Sequence, residues 1–291
     1  MALDLAIRST GIGASEAPAA LGVSPFQSAF ALWCVKVGEL DPADLSDVEA
    51  VKWGRRLEPI VGEAFAEETG REVEHNVEQE TLRSDSAPFM LATLDFTQRK
   101  NGSTLGALEI KTTNAFAAGD WKSGPPIHVQ VQLQHQLAVT GFEWGTVAAL
   151  IGGQRLVYWD MGRDDRFIDA MIERERIFWG MVERGERPPV DGSPQTAEAI
   201  RKLYATATGE TIDLPAEADE WDRELVSVKA EIKKLEAKKR EIETLLKASI
   251  GSASLGVLPC GDCYSFANRE RNIPPSEGKT ITYRELRRKT K

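Results

Sequence analysis

Two neighbouring runs, residues 91–98 (LATLDFTQ) and 104–112 (TLGALEIKT), set apolar side chains against polar ones at the two-residue period of a β-strand. Between them lies Arg99-Lys100-Asn101-Gly102-Ser103, and Asn-Gly between strand-like runs is a strong hairpin signal. Elsewhere the period lengthens to that of a helix. Residues 26–38, 47–69, 126–141 and 164–184 each carry an apolar stripe, and residues 11–22 read as a short helix entered through Ser15, a good N-cap. Residues 71–84 read as a strand and turn. Residues 144–160 read as two strands around Gly152-Gly153. Gly185 and Pro188-Pro189 end the last of these helices and close a core near residue 192. The expected class is α/β (α+β), a mixed sheet flanked by helices.

The hairpin also carries the candidate chemistry. A three-residue loop, 101–103, pairs Lys100 with Thr104, and that register sets Asp95 across from Glu109; a two-residue loop would put them on opposite faces unless a bulge intervened. Strand alternation places Lys111 beside Glu109. Opposed carboxylates with Cβ atoms about 4.5–5.5 Å apart repel unless a cation sits between them. The bland alternative is a row of solvated strand charges. Against it, Leu94, Phe96, Leu108 and Ile110 indicate burial on the other face as well, where an unpaired ion is expensive. A divalent metal with oxygen ligands suits the pair, and Lys111 is then a cation able to act on a bound water or phosphate.

Composition narrows the class. With 42% hydrophobic and 28% charged residues among 291, the chain has the balance of a globular protein rather than a disordered one. No apolar run approaches the roughly 18 residues of a membrane span, and MALDLAIRSTG lacks a signal-peptide pattern, so a cytoplasmic protein is expected. Three cysteines make no disulfide framework. Cys260 and Cys263 have metal-like spacing, but only Cys34 remains to complete a site, and a hairpin turn is the better reading. A net charge of −9 argues against sequence-indifferent coating of DNA and for a local channel. Residues 269–291 run against that balance, with eight basic and three acidic groups.

Asp95…Glu109-Ile110-Lys111 resembles the PD-(D/E)xK nuclease signature. Further segments resemble its lambda-exonuclease/YqaJ branch: Arg8…Ile12-Gly13-Ala14-Ser15, Ala19-Ala20-Leu21-Gly22, Trp53-Gly54-Arg55-Arg56-Leu57-Glu58, the run from Gln132 to Gly141, and Phe178-Trp179. They follow the family's order over roughly residues 8 to 190. Thr93-Leu94 stands where the family carries a proline before the first acid, and the hairpin looks longer than in lambda exonuclease. The resemblance implies a restriction-endonuclease-like core and a metal-dependent exonuclease of phage-recombination type, acting on one strand of linear duplex DNA from its 5′ end. It implies Mg²⁺ or Mn²⁺ held by Asp95, Glu109 and the Ile110 carbonyl, with Glu58 as the extra carboxylate. It implies that Lys111 and Gln132 position or activate the water, with Gln130 the alternative to Gln132. Arg8 and Ser15 match DNA-phosphate positions, and Val51 matches an apolar wedge, although a core valine is its simpler role. By the same resemblance the partners are double-stranded DNA ends, a single-strand annealing protein, and further copies forming a ring-shaped trimer. An endonuclease on this core, or a DNA-end-binding or assembly protein that no longer cleaves, are the rival readings. His128 and His135 read as surface or packing residues rather than ligands.

Residues 193–291 form an extension that the resemblance does not explain. Trp221, Leu225, Val228, Ile232, Leu235, Lys239, Ile242 and Leu246 follow alternating spacings of four and three, a heptad seam on a helix over about 215–249. Such a seam needs a partner. Lys239 upon it disfavours a long continuous dimer and favours docking on the chain's own core. A hairpin over 255–268 and a basic tail follow, the tail either a solvated terminus or a contact to DNA backbone.

Overall fold

The computed structural model describes residues 5–100, 102 and 104–269. The chain divides into two units, Met1–Ala205 and Thr206–Lys291. In the first, α1 (Leu5–Arg8), β1 (Ile12–Gly13), α2 (Ala17–Ala20), α3 (Ala29–Lys36) and α4 (Glu49–Thr69) precede β2 (Glu72–His75), β3 (Thr81–Arg83), β4 (Met90–Thr93), β5 (Phe96–Arg99) and β6 (Gly106–Thr113). A 3-10 turn at Ala115–Trp121 leads into α5 (Ile127–Thr140), β7 (Trp144–Ile151), β8 (Arg155–Gly162), α6 (Asp165–Arg184) and α7 (Pro194–Leu203).

The main sheet has the order β2-β5-β6-β7-β8, antiparallel except for the parallel pair β6–β7, which α5 connects. Strand alternation gives β6 two destinations. Leu108 and Ile110 join Val61 and Phe65 of α4, with Phe96 and Ala148, in one cluster. Ala107 falls with Leu133 and Leu137 of α5 in the larger one. The sheet is thus covered by α4 on one face and α5 on the other. Gly62 allows the α4 side to close, because a Cβ there would land on the Phe96 ring.

Three sequence expectations are corrected. The run 91–98 is two strands, not one. β4 pairs with β1 and β3 in a separate three-stranded sheet, β5 belongs to the main sheet, and the chain changes sheets at Leu94-Asp95. The helix expected over 11–22 shrinks to one turn: Ile12–Gly13 pairs in parallel with Met90–Leu91, and Glu16 rather than Ser15 precedes α2. The core runs past 192, because Ser193 caps α7 by accepting from the Thr196 amide, and α7 buries Thr196 and Ala199. Thr196 Oγ1 donates to Ser28 Oγ at 2.7 Å, tying α7 to the start of α3.

In the second unit, α8 (Ala218–Ile250) is a 33-residue helix with no buried residue, followed by the antiparallel hairpin of β9 (Leu255–Val257) and β10 (Cys263–Ser265). Cys260 and Cys263 are free, exposed thiols at this hairpin, and Gly261 between them takes φ +96°, a turn geometry that glycine permits. Asn101 and Ser103 of the expected turn, and the basic tail beyond Arg269, lie outside the described residues. Among the described residues no helix is long and apolar enough to cross a membrane.

Candidate active site

β5 and β6 pair Phe96 with Leu108, Thr97 with Ala107 and Gln98 with Gly106, and one further step sets Asp95 opposite Glu109, as the three-residue loop requires. Asp95 sits at the break between the two sheets. Its Oδ2 accepts the Ile110 backbone N–H at 2.8 Å. Burial, then the charges of Glu109 and Glu58, push the Asp95 carboxyl well above the usual carboxylate range, against the pull of Lys111 and the Ile110 amide.

Glu109 is only 2% exposed, and α5 supplies what its buried carboxylate needs. Oε1 accepts from Lys111 Nζ at 2.6 Å and from Gln132 Nε2 at 2.6 Å, and Oε2 accepts from Gln136 Nε2 at 2.6 Å. Lys111 Nζ also donates to Gln132 Oε1 at 2.9 Å, closing a ring of three side chains. Burial works against the ammonium, but Glu109, Asp95 and Glu58 outweigh it and hold the Lys111 pKa above its usual value. Gln130 is engaged elsewhere, donating to the Pro125 carbonyl at 2.6 Å, so Gln132 is the glutamine at the site.

Glu58 reaches the cluster from α4, immediately before the internal Pro59. Its Oε1 lies 3.3 Å from His75 Nε2, and the His75 ring stacks on Phe96 at 4.4 Å. Arg8 closes α1. Its Nη2 donates to Ser15 Oγ at 3.3 Å and lies 3.6 Å from Glu16 Oε1. Lys36 reaches this corner from α3, with Nζ 2.7 Å from both the Arg8 carbonyl and Glu16 Oε2. A cleft of about 560 Å³ is lined by Ser15, Phe26, Lys111, Asn114, His128 and Gln132, among others. Ser15 and Phe26 also line a neighbouring cavity of about 930 Å³ that contains Arg8 and Lys36. The fold thus brings Ser15 to the same cleft as Lys111 and Gln132. Val51, in the first turn of α4, lines neither cavity.

Two residues escaped the sequence reading. Gln136 lies in the Gln132–Gly141 run, one turn after Gln132 on the same stripe, but has no role assigned to it, and His75 carries no motif at all. Of the other two histidines, His135 is a buried packing residue, with Nδ1 2.9 Å from Glu175 Oε1 and Nε2 3.1 Å from the Leu91 carbonyl. His128 stands edge-on to Phe26 at 5.5 Å, and burial, then Lys111, hold its pKa below the usual value.

The donors are carboxylates, a set that suits a hard divalent cation such as Mg²⁺ rather than zinc or copper. At Asp95, buried against two further carboxylates, such a cation would relieve repulsion. Among the described residues no group of three or more His, Cys, Asp or Glu side chains forms a ready metal cage.

Residues 5–143 match the YqaJ-like viral recombinase domain. The protein YqaJ of Bacillus subtilis (strain 168) is 34% identical over 256 residues, spanning 86% of this chain and 78% of that one. The fold is shared with an alkaline exonuclease from Laribacter hongkongensis, at a TM-score of 0.51 and 20% identity over 62% of this chain and 92% of the other. A structure titled as that exonuclease in complex with dAMP matches at the same TM-score of 0.51, with 22% identity and the same shares of 62% and 92%. With two acids, a lysine and a glutamine joined at the change of sheet, and a relative this similar over most of both lengths, the chain belongs to the YqaJ-like viral recombinase family.

Proposed function

We propose that this protein is a metal-dependent deoxyribonuclease that removes nucleotides from one strand of linear duplex DNA, starting at the 5′ end. The observation that carries the reading is the Lys111 ammonium, held between Glu109 and Gln132 at the cleft with Asp95 across the strand pair. The similarity in fold to an alkaline exonuclease supports it.

Asp95, Glu109 and the Ile110 carbonyl would hold Mg²⁺ or Mn²⁺, with Glu58 completing the acidic pocket. When bound, the ion supplies Lewis acidity and neutralises charge at the scissile phosphate. The chain's own groups do the rest. Lys111 commits two of its three N–H bonds to Glu109 and Gln132, which leaves the third for an incoming water or phosphate oxygen. Kept protonated by its acidic neighbours, it acts as a donor. Gln132 orients it, accepting from Lys111 while donating to Glu109. Ser15 offers a hydroxyl at the cleft and Arg8 a guanidinium beside it, the pairing that holds a phosphate. Proximity of these groups to one phosphodiester supplies the orientation on which hydrolysis depends.

The test uses linear duplex labelled separately at its 5′ and 3′ ends, with covalently closed circles as control and Mg²⁺ present. Early release of the 5′ label with intact circles is expected. Nicked or linearised circles would make the endonuclease the correct reading, and early release of the 3′ label would reverse the polarity.

A further inference from the structure

We propose that α8 pairs with the α8 of a second copy of this chain, antiparallel, about a dyad between Ile232 and Leu235. At 33 residues α8 is about 50 Å long at 1.5 Å per residue. Within its own unit and among the described residues its heptad seam is exposed, Trp221 at 59%, Ile232 at 48% and Leu235 at 66%. Within its own unit the helix packs on β9, where Ile250 approaches Gly256 beyond the end of the seam.

The seam is complementary to itself when reversed. Turned end for end about that dyad, Trp221 meets Leu246, Leu225 meets Ile242, Val228 meets Lys239, and Ile232 meets Leu235, each layer occurring twice. In an antiparallel pair the positions flanking the seam face their own kind. Glu231 then faces Lys238 and Lys229 faces Glu236, four opposite-charge pairs around the dyad; Asp222 facing Glu243 at the two ends is the unfavourable exception.

Flanking charges alone do not choose the orientation, because a parallel pair sets Glu231 against Glu236 but Glu224 against Lys229 and Lys238 against Glu243. Lys239 chooses it: a parallel pair stacks Lys239 on Lys239 inside the seam. Reversal separates the two Lys239 side chains by eleven residues, about 16 Å of rise, roughly two Debye lengths at physiological ionic strength. It also lays each lysine stem along Val228, with the ammonium free to reach solvent. The lysine that argues against a parallel dimer is accommodated in an antiparallel one.

Sedimentation equilibrium of the full chain over a range of concentrations tests this. The expected mass is an even multiple of the 32.0 kDa of one chain, two chains or a pair of rings, and Ile232→Lys halves it. Glu231→Lys should weaken association about tenfold, and adding Lys238→Glu should restore it, since the pair is then only exchanged. These two positions lie beside the seam, so the exchange stays decisive even if Ile232→Lys loses helix by circular dichroism. A single-chain mass at every concentration, a mass indifferent to Ile232→Lys, or no recovery in the double variant would overturn the proposal. Tighter association of Glu231→Lys would also overturn it, because parallel pairing sets Glu231 against Glu236.

Discussion

Asp95 Oδ2 accepts the backbone N–H of Ile110 at 2.8 Å, so the first acid is tied to the strand that carries the second. The bond sits where the chain leaves one sheet for another, and it holds the Asp95 charge against Glu109. Without a cation that arrangement opposes folding. Because burial and acidic neighbours raise the carboxyl's pKa, its ionised form at neutral pH destabilises the metal-free fold. Asp95→Asn keeps an acceptor for the Ile110 amide and removes the charge. Metal-free Asp95→Asn should therefore be more stable than the parent by on the order of 1 kcal/mol. Mg²⁺ should raise the melting temperature of the parent and leave that of the variant unchanged, measured by calorimetry with and without chelator. Equal stabilisation of both proteins by Mg²⁺ would place the ion elsewhere.

Gln136 contributes through Glu109 alone. Its Nε2 donates to the buried Oε2 at 2.6 Å, and Gln136→Leu would strand that oxygen without a donor. The expected cost is about 1–3 kcal/mol in denaturant unfolding, with Mg²⁺ affinity also reduced because the carboxylate loses its anchor. Unchanged stability would mean that Glu109 reaches another donor.

Asp160 and Arg71 predict an acid limb of their own, since neither contacts Asp95, Glu109 or Lys111 among the hydrogen bonds of the described residues. Arg71 makes a bidentate contact to Asp160, at 2.8 and 2.7 Å, and also donates to Gln98 and Thr146. Burial alone would raise the Asp160 pKa, but hydrogen bonds from Arg71 and Thr146 lower it to about 2. A depressed carboxylate stabilises the fold above its unfolded pKa and loses that contribution as pH falls through the folded value. Stability should therefore drop between about pH 4 and pH 2 by roughly 1 kcal/mol, an amount discounted for the partial exposure of Asp160. Asp160→Asn should remove this component of the acid limb in unfolding curves taken across that window.

Gly62 carries a packing prediction. A Cβ there meets the Phe96 ring, so Gly62→Ala should cost about 1–3 kcal/mol from overpacking, despite alanine's better helix propensity. A stabilised variant would mean that α4 can shift away from the sheet.

The hairpin register was legible because a period of two and an Asn-Gly turn leave few alternatives, and Asp95 opposite Glu109 followed from it. The break at Leu94-Asp95 was not legible. Leu94 is as buried as a strand residue, and nothing local distinguishes a change of sheet from its continuation. Ser15 carried the composition of a cap, but Ile12–Gly13 found a strand partner nearly eighty residues away, and tertiary pairing overrode the local signal. Gln136 and Glu175 are polar helix positions that burial alone reveals as parts of networks. The helical extent of α8 was legible from its seam, since the four-three spacing persists over the whole run.

The most direct measurement is the initial rate of nucleotide release from linear duplex DNA in Mg²⁺, comparing the parent chain with Lys111→Ala. Lys111 is the group joined to both Glu109 and Gln132 at the cleft, and its loss should lower the rate at least a hundredfold while circular dichroism stays unchanged. A folded Lys111→Ala protein that degrades DNA at the parental rate would contradict the account.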